Sequence, residues 1–136
     1  MSNPTVSVII PVYNAQEGIK QCLDSLLNQS FTDFEIILLN DGSTDNSLEV
    51  IKKYAAVNDF IRVIDKENEG VAKTRNKGIQ LANGKYIVFI DNDDFVDSDY
   101  LERFYNAIDQ EQLDIVLGGY KPVNQEMKTL FKQDLT

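Results

Sequence analysis

Five aspartates fall between Asp91 and Asp99, and no lysine or arginine occurs from Tyr86 to Glu102. Carboxylates crowded in this way repel one another unless a cation lies among them. Asp91, Asn92, Asp93 and Asp94 follow directly on the apolar run Tyr86 to Ile90, so a buried strand would deliver them rigidly to one place. Such a group suits a divalent metal or a ligand on Asp91 and Asp93, with most of the coordination shell left to water or a diphosphate. The competing reading is a solvated acidic turn ahead of a capped helix, and it accounts for Asp97 and Asp99.

The rest of the composition narrows the chemistry. The 136 residues contain no His, no Trp and one Cys, Cys22. No Ser-His-Asp or Cys-His pair, HExxH helix or imidazole base is possible, and no multi-cysteine zinc or iron-sulfur site can form within one chain. A metal must sit on oxygen, which favours Mg²⁺ or Mn²⁺ over zinc. Thirteen basic and 22 acidic residues give a net charge of −9, which argues against nucleic acid as a partner. Neither GxGxxG nor GxxxxGK[ST] is present, so dehydrogenase and P-loop readings fall away.

Three further positions could meet a ligand. The turn Asn40-Asp41-Gly42-Ser43 has an ordinary structural reading as a turn, and a functional one in which Asp41 stays free to accept hydrogen bonds from ligand N–H groups. Tyr13 either packs beneath a helix or offers an aromatic face to a flat base. Of Lys73, Arg75 and Lys77, most belong to a solvated helix face, and Arg75 is set apart by its motif context.

The elements that must position these residues alternate along the chain. Val6 to Val12 is a continuous apolar run, the mark of a strand covered on both faces. Ala15 to Asn28 carries Ile19, Cys22, Leu23, Leu26 and Leu27 at helical spacing. Phe34 to Leu39 reads as a second strand, followed by a helix capped by Thr44 or Asp45 and running to about Ala56. Phe60 to Ile64 is a third strand, Val71 to Asn83 a helix stopped by Asn83 and Gly84, and Tyr86 to Ile90 a fourth strand. Ser98 or Asp99 caps a helix through Tyr105 and Ile108, with Asp99 and Glu102 at capping-box spacing, and Ile115 to Leu117 opens a fifth strand.

Strict alternation of this kind predicts one α/β domain, three layers deep, with a mostly parallel sheet between helices. Ligands of such sheets bind beyond the carboxyl ends of the strands. That edge would carry Tyr13, Asp41, the basic helix with Arg75 and the acidic cluster together.

These residues carry a resemblance. Ser7-Val8-Ile9-Ile10-Pro11-Val12-Tyr13-Asn14, Asn40-Asp41-Gly42-Ser43-Thr44-Asp45, the run from Asn68-x-Gly70 to Arg75-Asn76-x-Gly78, and Asp91-Asn92-Asp93-Asp94 stand in the order and spacing of family 2 glycosyltransferases of the Rossmann-like GT-A fold. The match covers residues 5 to about 120 and corresponds to the nucleotide-sugar-binding half of such enzymes. The resemblance implies that Tyr13, with Pro11 and Val12, lines the base pocket and that Asp41 accepts a hydrogen bond from the base. It implies further that Arg75 contacts the nucleotide, that Asp91 reaches the ribose or the metal's water shell, and that Asn92 joins the nucleotide-sugar-binding set. Asp93, closing a DxD-type motif, would ligate Mn²⁺ or Mg²⁺ on the donor diphosphate. Asp94 matches a frequent acid of the family.

The implied reaction is inverting transfer of a sugar from a nucleotide-diphosphate donor, a UDP-sugar, to a saccharide or lipid-linked saccharide acceptor in polysaccharide synthesis. Family members continue past this point with an acceptor-binding segment and a catalytic base, so the chain is expected to be the donor-binding part of such an enzyme; the alternative is a nucleotide-diphosphate-binding fragment, inactive in isolation for lack of that base. Its N-terminus lacks the features of a secretory signal, and no stretch approaches a membrane span. A cytoplasmic location, peripheral to the inner face of the membrane, is the corresponding expectation. A phospho-accepting receiver domain, with Lys121 after its last strand, is the remote alternative, and it would need its paired acids where this chain has Pro11 to Asn14.

Overall fold

A computed structural model describes residues 3–111. Within them β1 (Val6–Val12), α1 (Ile19–Leu27), β2 (Phe34–Asp41), α2 (Ser47–Val57), β3 (Ile61–Lys66), α3 (Val71–Leu81), β4 (Tyr86–Phe89) and α4 (Tyr100–Glu111) alternate as the sequence pattern requires. The expected strand at Ile115 to Leu117 lies outside the described residues, as does Lys121.

All described strand pairs are parallel, in the order β3-β2-β1-β4. The order turns back at β1: the chain leaves β1 for β2 on one side and later returns to place β4 on the other. That reversal is the topological switch point of an open α/β sheet, where a crevice forms beyond the strand ends.

Strand side chains alternate between faces, and the two faces are covered differently. Val6, Val8, Ile10 and Val12 of β1 join Phe34, Ile36 and Leu38 of β2 in the larger core. There they meet Ile19, Cys22, Leu23 and Leu26 of α1, Ile51 of α2, and Leu101, Phe104 and Ile108 of α4. Ile9, Ile37 and Leu39 form the smaller cluster with Ile64, Leu81, Ala82 and Ile87. The expected three layers are therefore present. Each fully buried Leu or Ile contributes about 1.5–3 kcal/mol of transfer free energy.

Helix starts and stops differ from the sequence expectation for local reasons. Residues 15–18 form a turn, with the Gly18 and Ile19 amides on the Ala15 carbonyl, and α1 proper begins at Ile19. Thr44 and Asp45 do not open α2. The Thr44 amide is taken by Asn14 Oδ1, and the Asp45 carboxylate turns to the amide and hydroxyl of Ser47, the first helical residue. Gly84 is no left-handed cap either. A Cβ there would lie 2.6 Å from the Ser7 amide nitrogen and 2.8 Å from the Val6 carbonyl carbon, so glycine is needed for close passage beside β1. Asp99, by contrast, does stand at the start of α4 as expected: its carbonyl accepts the Arg103 amide at 2.9 Å, while its carboxylate faces the Arg103 side chain at 3.5 Å, an i,i+4 pair.

A polar knot ties the amino-terminal edge of the sheet. Buried Glu35 accepts the Ser7 hydroxyl at 2.6 Å and the Asn83 amide at 2.7 Å, and Arg62 stands 3.4 Å away. Ser7 in turn accepts the Gly84 amide at 2.8 Å. These contacts anchor the chain leaving α3 to β1 and β2, at the end of the sheet opposite the candidate site.

Candidate functional site

Two loops at the carboxyl edge are laced together. The successive amides of Asn14, Ala15 and Gln16 donate to Ser43 Oγ (3.0 Å), Ser47 Oγ (2.7 Å) and Asp45 Oδ2 (3.2 Å). In return, the Thr44 and Asn46 amides donate to Asn14 Oδ1 (2.8 Å) and Gln16 Oε1 (3.1 Å). Asn14 adopts φ 47°, a left-handed conformation that asparagine tolerates better than most residues. The lacing fixes the chain directly after Tyr13, and Ser43 Oγ also donates to the Val12 carbonyl before it at 3.5 Å. Pro11 and Val12 are buried beneath, and Tyr13 is 49% exposed, so its ring is available for stacking rather than packed under a helix.

Asp41, at the end of β2, is not free as its turn position suggested. It is buried, and its Oδ1 accepts Lys66 Nζ and the Glu69 amide, both at 2.8 Å, while Oδ2 accepts the Gly70 amide at 3.1 Å. Burial alone would raise this carboxyl. The Lys66 ammonium and the Glu69 amide outweigh it and hold the group below the ordinary carboxylate range. Gly42 follows at φ +70°, and a Cβ there would meet the Asn68 amide nitrogen at 2.8 Å. The glycine thus lets the 67–70 loop close onto Asp41, and Asn68 Nδ2 completes the junction on the Asp41 carbonyl at 2.9 Å.

The acidic cluster forms a turn across the switch point. The Ile90 amide extends β4 onto the Ile9 carbonyl, and the Asp94 amide closes on the Asp91 carbonyl at 3.1 Å. Asn92 Nδ2 reaches the Pro11 carbonyl at 3.0 Å, joining the turn to the base-pocket strand. Asp93 lies against Gly18 at the start of α1, whose N-terminus carries no side-chain cap and favours nearby negative charge. Buried Cys22 sits below: burial and then Asp94, Asp93 and Asp91 push its thiol up to about 12. Burial, then repulsion from Asp91 and Asp93, also raises the Asp94 carboxyl.

The sequence supplied no cation near this cluster; the fold brings one from α3. Arg75 meets Asp91 Oδ1 at 3.0 Å, and its guanidinium lies 5.8 Å from the centre of the half-exposed Phe89 ring. Its Nε is buried without an acceptor among the described residues. Asp93 is exposed and takes no hydrogen bond or ion pair there. Among the described residues no three His, Cys, Asp or Glu side chains form a closed metal cage. The structure therefore unites Arg75 with Asp91 and Asn92 with Pro11. Asp41 bonds to none of them, and reaches α3 through Lys66 and Thr74, one residue before Arg75.

Sequence reasoning missed Lys66, Asn14 and Gln16. Lys66 ends β3 directly beside Asp41 in the parallel register, which could be foreseen only by aligning the two strands. Asn14 and Gln16 act through contacts about 30 positions away in sequence, and their residue types gave no sign of it.

Residues 7–135 match Glycosyl transferase family 2. Among curated proteins, the chain is 44% identical over 126 residues to the uncharacterized glycosyltransferase EpsJ of Bacillus subtilis, covering 93% of this chain and 37% of that one. It is 40% identical to a poly(ribitol-phosphate) beta-glucosyltransferase of Bacillus spizizenii, covering 94% of this chain and 21% of the relative. The chain thus spans well under half of these relatives. Among solved structures, S. aureus TarS 1-349 superposes with TM-score 0.82 at 32% identity, over 91% of this chain and 38% of TarS. The same protein in complex with UDP-GlcNAc gives 0.81 at 28% identity, over 92% and 37%. No described helix is long and apolar enough to cross a membrane. Four parallel strands flanked by helices in the GT-A arrangement, with motifs matched from residue 7 onward, establish that the chain belongs to glycosyltransferase family 2.

Proposed function

We propose that this chain is the donor-binding part of an inverting, metal-dependent glycosyltransferase that takes a nucleotide-diphosphate sugar, a UDP-sugar, and passes the sugar to a saccharide or lipid-linked saccharide acceptor. The observation that carries the reading is the set of groups at the switch point: Arg75 held on Asp91, with a buried Nε donor and an exposed Asp93 that have no partner among the described residues. The TarS complex with UDP-GlcNAc, on the same fold at 28% identity, supports the choice of donor.

The donor set fits Mn²⁺ or Mg²⁺. Its ligating atoms are carboxylate oxygens, and one or two carboxylates without a closed cage are how such ions are held when phosphates complete the shell. Asp93 would hold the ion, with Asp91 at its water shell. When bound, the ion supplies Lewis-acid stabilisation of the charge that develops on the diphosphate as the glycosyl bond breaks. Arg75 offers its unused Nε–H to a nucleotide oxygen. Tyr13, over Pro11 and Val12, stacks on the base, and Asp41 accepts a base N–H. Asn92 fixes the acidic turn to the base-pocket strand through Pro11.

Calorimetric titration of UDP with and without Mn²⁺, together with a sugar-transfer assay, tests the proposal. The expected result is UDP binding that Mn²⁺ tightens, and loss of that tightening in Asp93→Ala while the circular dichroism spectrum is unchanged. Equal affinity with and without Mn²⁺ removes the metal assignment. Absence of UDP binding removes the donor assignment.

A further inference from the structure

An ionised carboxylate has about four acceptor positions, and three of those on Asp41 are filled. Oδ1 takes Lys66 Nζ and the Glu69 amide, and Oδ2 takes the Gly70 amide. The Thr74 hydroxyl lies beside the carboxylate as well, and it is on Oδ2, which holds one backbone amide against the two partners of Oδ1, that a ligand N–H can be accepted.

Lys66 has more acceptors than protons. Its ammonium carries three N–H donors and faces Asp41 Oδ1 at 2.8 Å, Glu69 Oε2 at 2.9 Å, the Glu67 carbonyl at 2.9 Å and Thr74 Oγ1 at 3.3 Å. Its side chain is only 12% exposed, and that of Asp41 5%. A lysine is rarely this buried unless it is paired, and removing one partner of such a pair leaves the other charge uncompensated. Through Thr74 the same ammonium touches the first turn of α3, one residue ahead of Arg75.

We propose that Lys66 is a positioning residue for base recognition: it holds the Asp41 carboxylate so that Oδ2 is offered to a base N–H. The proposal rests on the nucleotide-binding reading above. Its consequence is selectivity for a base with an imide N–H, such as uracil, over one that presents a ring nitrogen acceptor there, such as cytosine. Without Lys66, the Glu69 and Gly70 amides and the Thr74 hydroxyl are left to hold the charge of Asp41. The charged groups facing it are Lys66 from β3 and Glu69 from the following loop, with Lys73 of α3 acting on Glu69. Losing Lys66 therefore leaves Asp41 to burial and to the negative charge of Glu69. Both favour the protonated acid, which donates a hydrogen bond where the carboxylate accepted one.

The test compares the intact chain with Lys66→Met and Lys66→Arg. Carbon-13 NMR of the Asp41 carboxyl in the ligand-free chain should show its titration moving up in Lys66→Met, the direction expected on losing an adjacent opposite charge. Titration of UDP and CDP should give an affinity ratio that is flat from about pH 8 to 5 in the intact chain and that falls at least about tenfold by pH 5 in Lys66→Met. Lys66→Arg should restore the flat ratio. A loss of structure alone would weaken both nucleotides together and leave the ratio level. Unchanged Asp41 titration, a pH-independent ratio in Lys66→Met, or tighter UDP binding there overturns the proposal. If the intact chain binds no UDP, the nucleotide reading fails and this proposal falls with it, while the NMR titration still shows whether Lys66 governs Asp41.

Discussion

Gly78→Ala places two known effects in opposition. Alanine in a helix interior is favoured over glycine by about 1 kcal/mol, and Gly78 lies inside α3. Against this, the added Cβ would fall 2.5 Å from Ile9 Cγ2 and 3.3 Å from both Cγ1 and Cδ1. Ile9 is fully buried in β1, with its backbone paired to Ile37 on one side and Phe89 on the other. It cannot retreat by the ångström or so that a normal carbon contact needs, so α3 must lift instead. Overpacking of this kind costs about 1–3 kcal/mol, and a contact so short belongs in the upper part of that range. The expected net loss is about 1–2 kcal/mol, or a fall in Tm of about 4–8 °C for a chain of this size. Arg75 is one turn away on the same helix, so UDP affinity should fall as well. Thermal and urea unfolding of Gly78→Ala, Ile9→Ala and the double variant supply the measurement. In the Ile9→Ala background, with the obstructing methyl removed, Gly78→Ala should be neutral or stabilising. An equal loss in both backgrounds, or a gain in the unmodified chain, would refute the packing argument.

Arg75→Ala should cost little stability, about 0–1 kcal/mol, because its partner pair is 39% and 60% exposed. UDP affinity in calorimetry should nevertheless fall about 10–100-fold, the worth of a charge-assisted hydrogen bond; unchanged affinity would remove Arg75 from the site. Acid should unfold the protein partly through Asp41 and Asp45. Burial would raise both, but Lys66 and the Glu69 amide in one case, and Ser47 in the other, hold them below the ordinary 3.8. Their stabilisation is therefore complete above the unfolded-state value near 3.8 and is lost as pH falls through the lower folded values. Urea midpoints should drop steeply below about pH 4, and less steeply in Asp45→Asn. Cys22, buried with its thiol pushed up to about 12, should resist a thiol reagent at neutral pH until the chain is unfolded. Rapid labelling of the native protein would contradict the placement of the acidic turn over it.

The sequence was most legible where structure is local. The limits of β1 at Val6 and Val12 follow from an unbroken apolar run, and the apolar stripe of α1 from its spacing. Asp91 to Asp94 fall at the switch point because β4 ends just before them. What escaped was set by alignment across strands. Arg75 reaches Asp91 from 16 residues away, and Lys66 reaches Asp41 from 25. Neither distance corresponds to a period that a single helix or strand would show. Gly84 was misread as a helix stop because the sequence cannot show that β1 passes beside it.

Glu35 and Asp41 lie at the two ends of one face of β2, and β3 answers each with a cation, Arg62 at 3.4 Å and Lys66 at 2.8 Å. Sliding β3 by one residue would turn its apolar side chains to the wrong face and be rejected by burial alone. Sliding it by two would keep every side chain on its proper face, so the apolar pattern is blind to that error. The Lys66–Asp41 pair is not. Lys66 stands directly opposite Asp41, and a two-residue slip in either direction takes it from that place beside a carboxylate that is almost wholly buried, at a cost of several kcal/mol where the charge is left alone. Asp41 thus acts as an alignment mark at the end of the strand, fixing the register that sets Lys66 beside it.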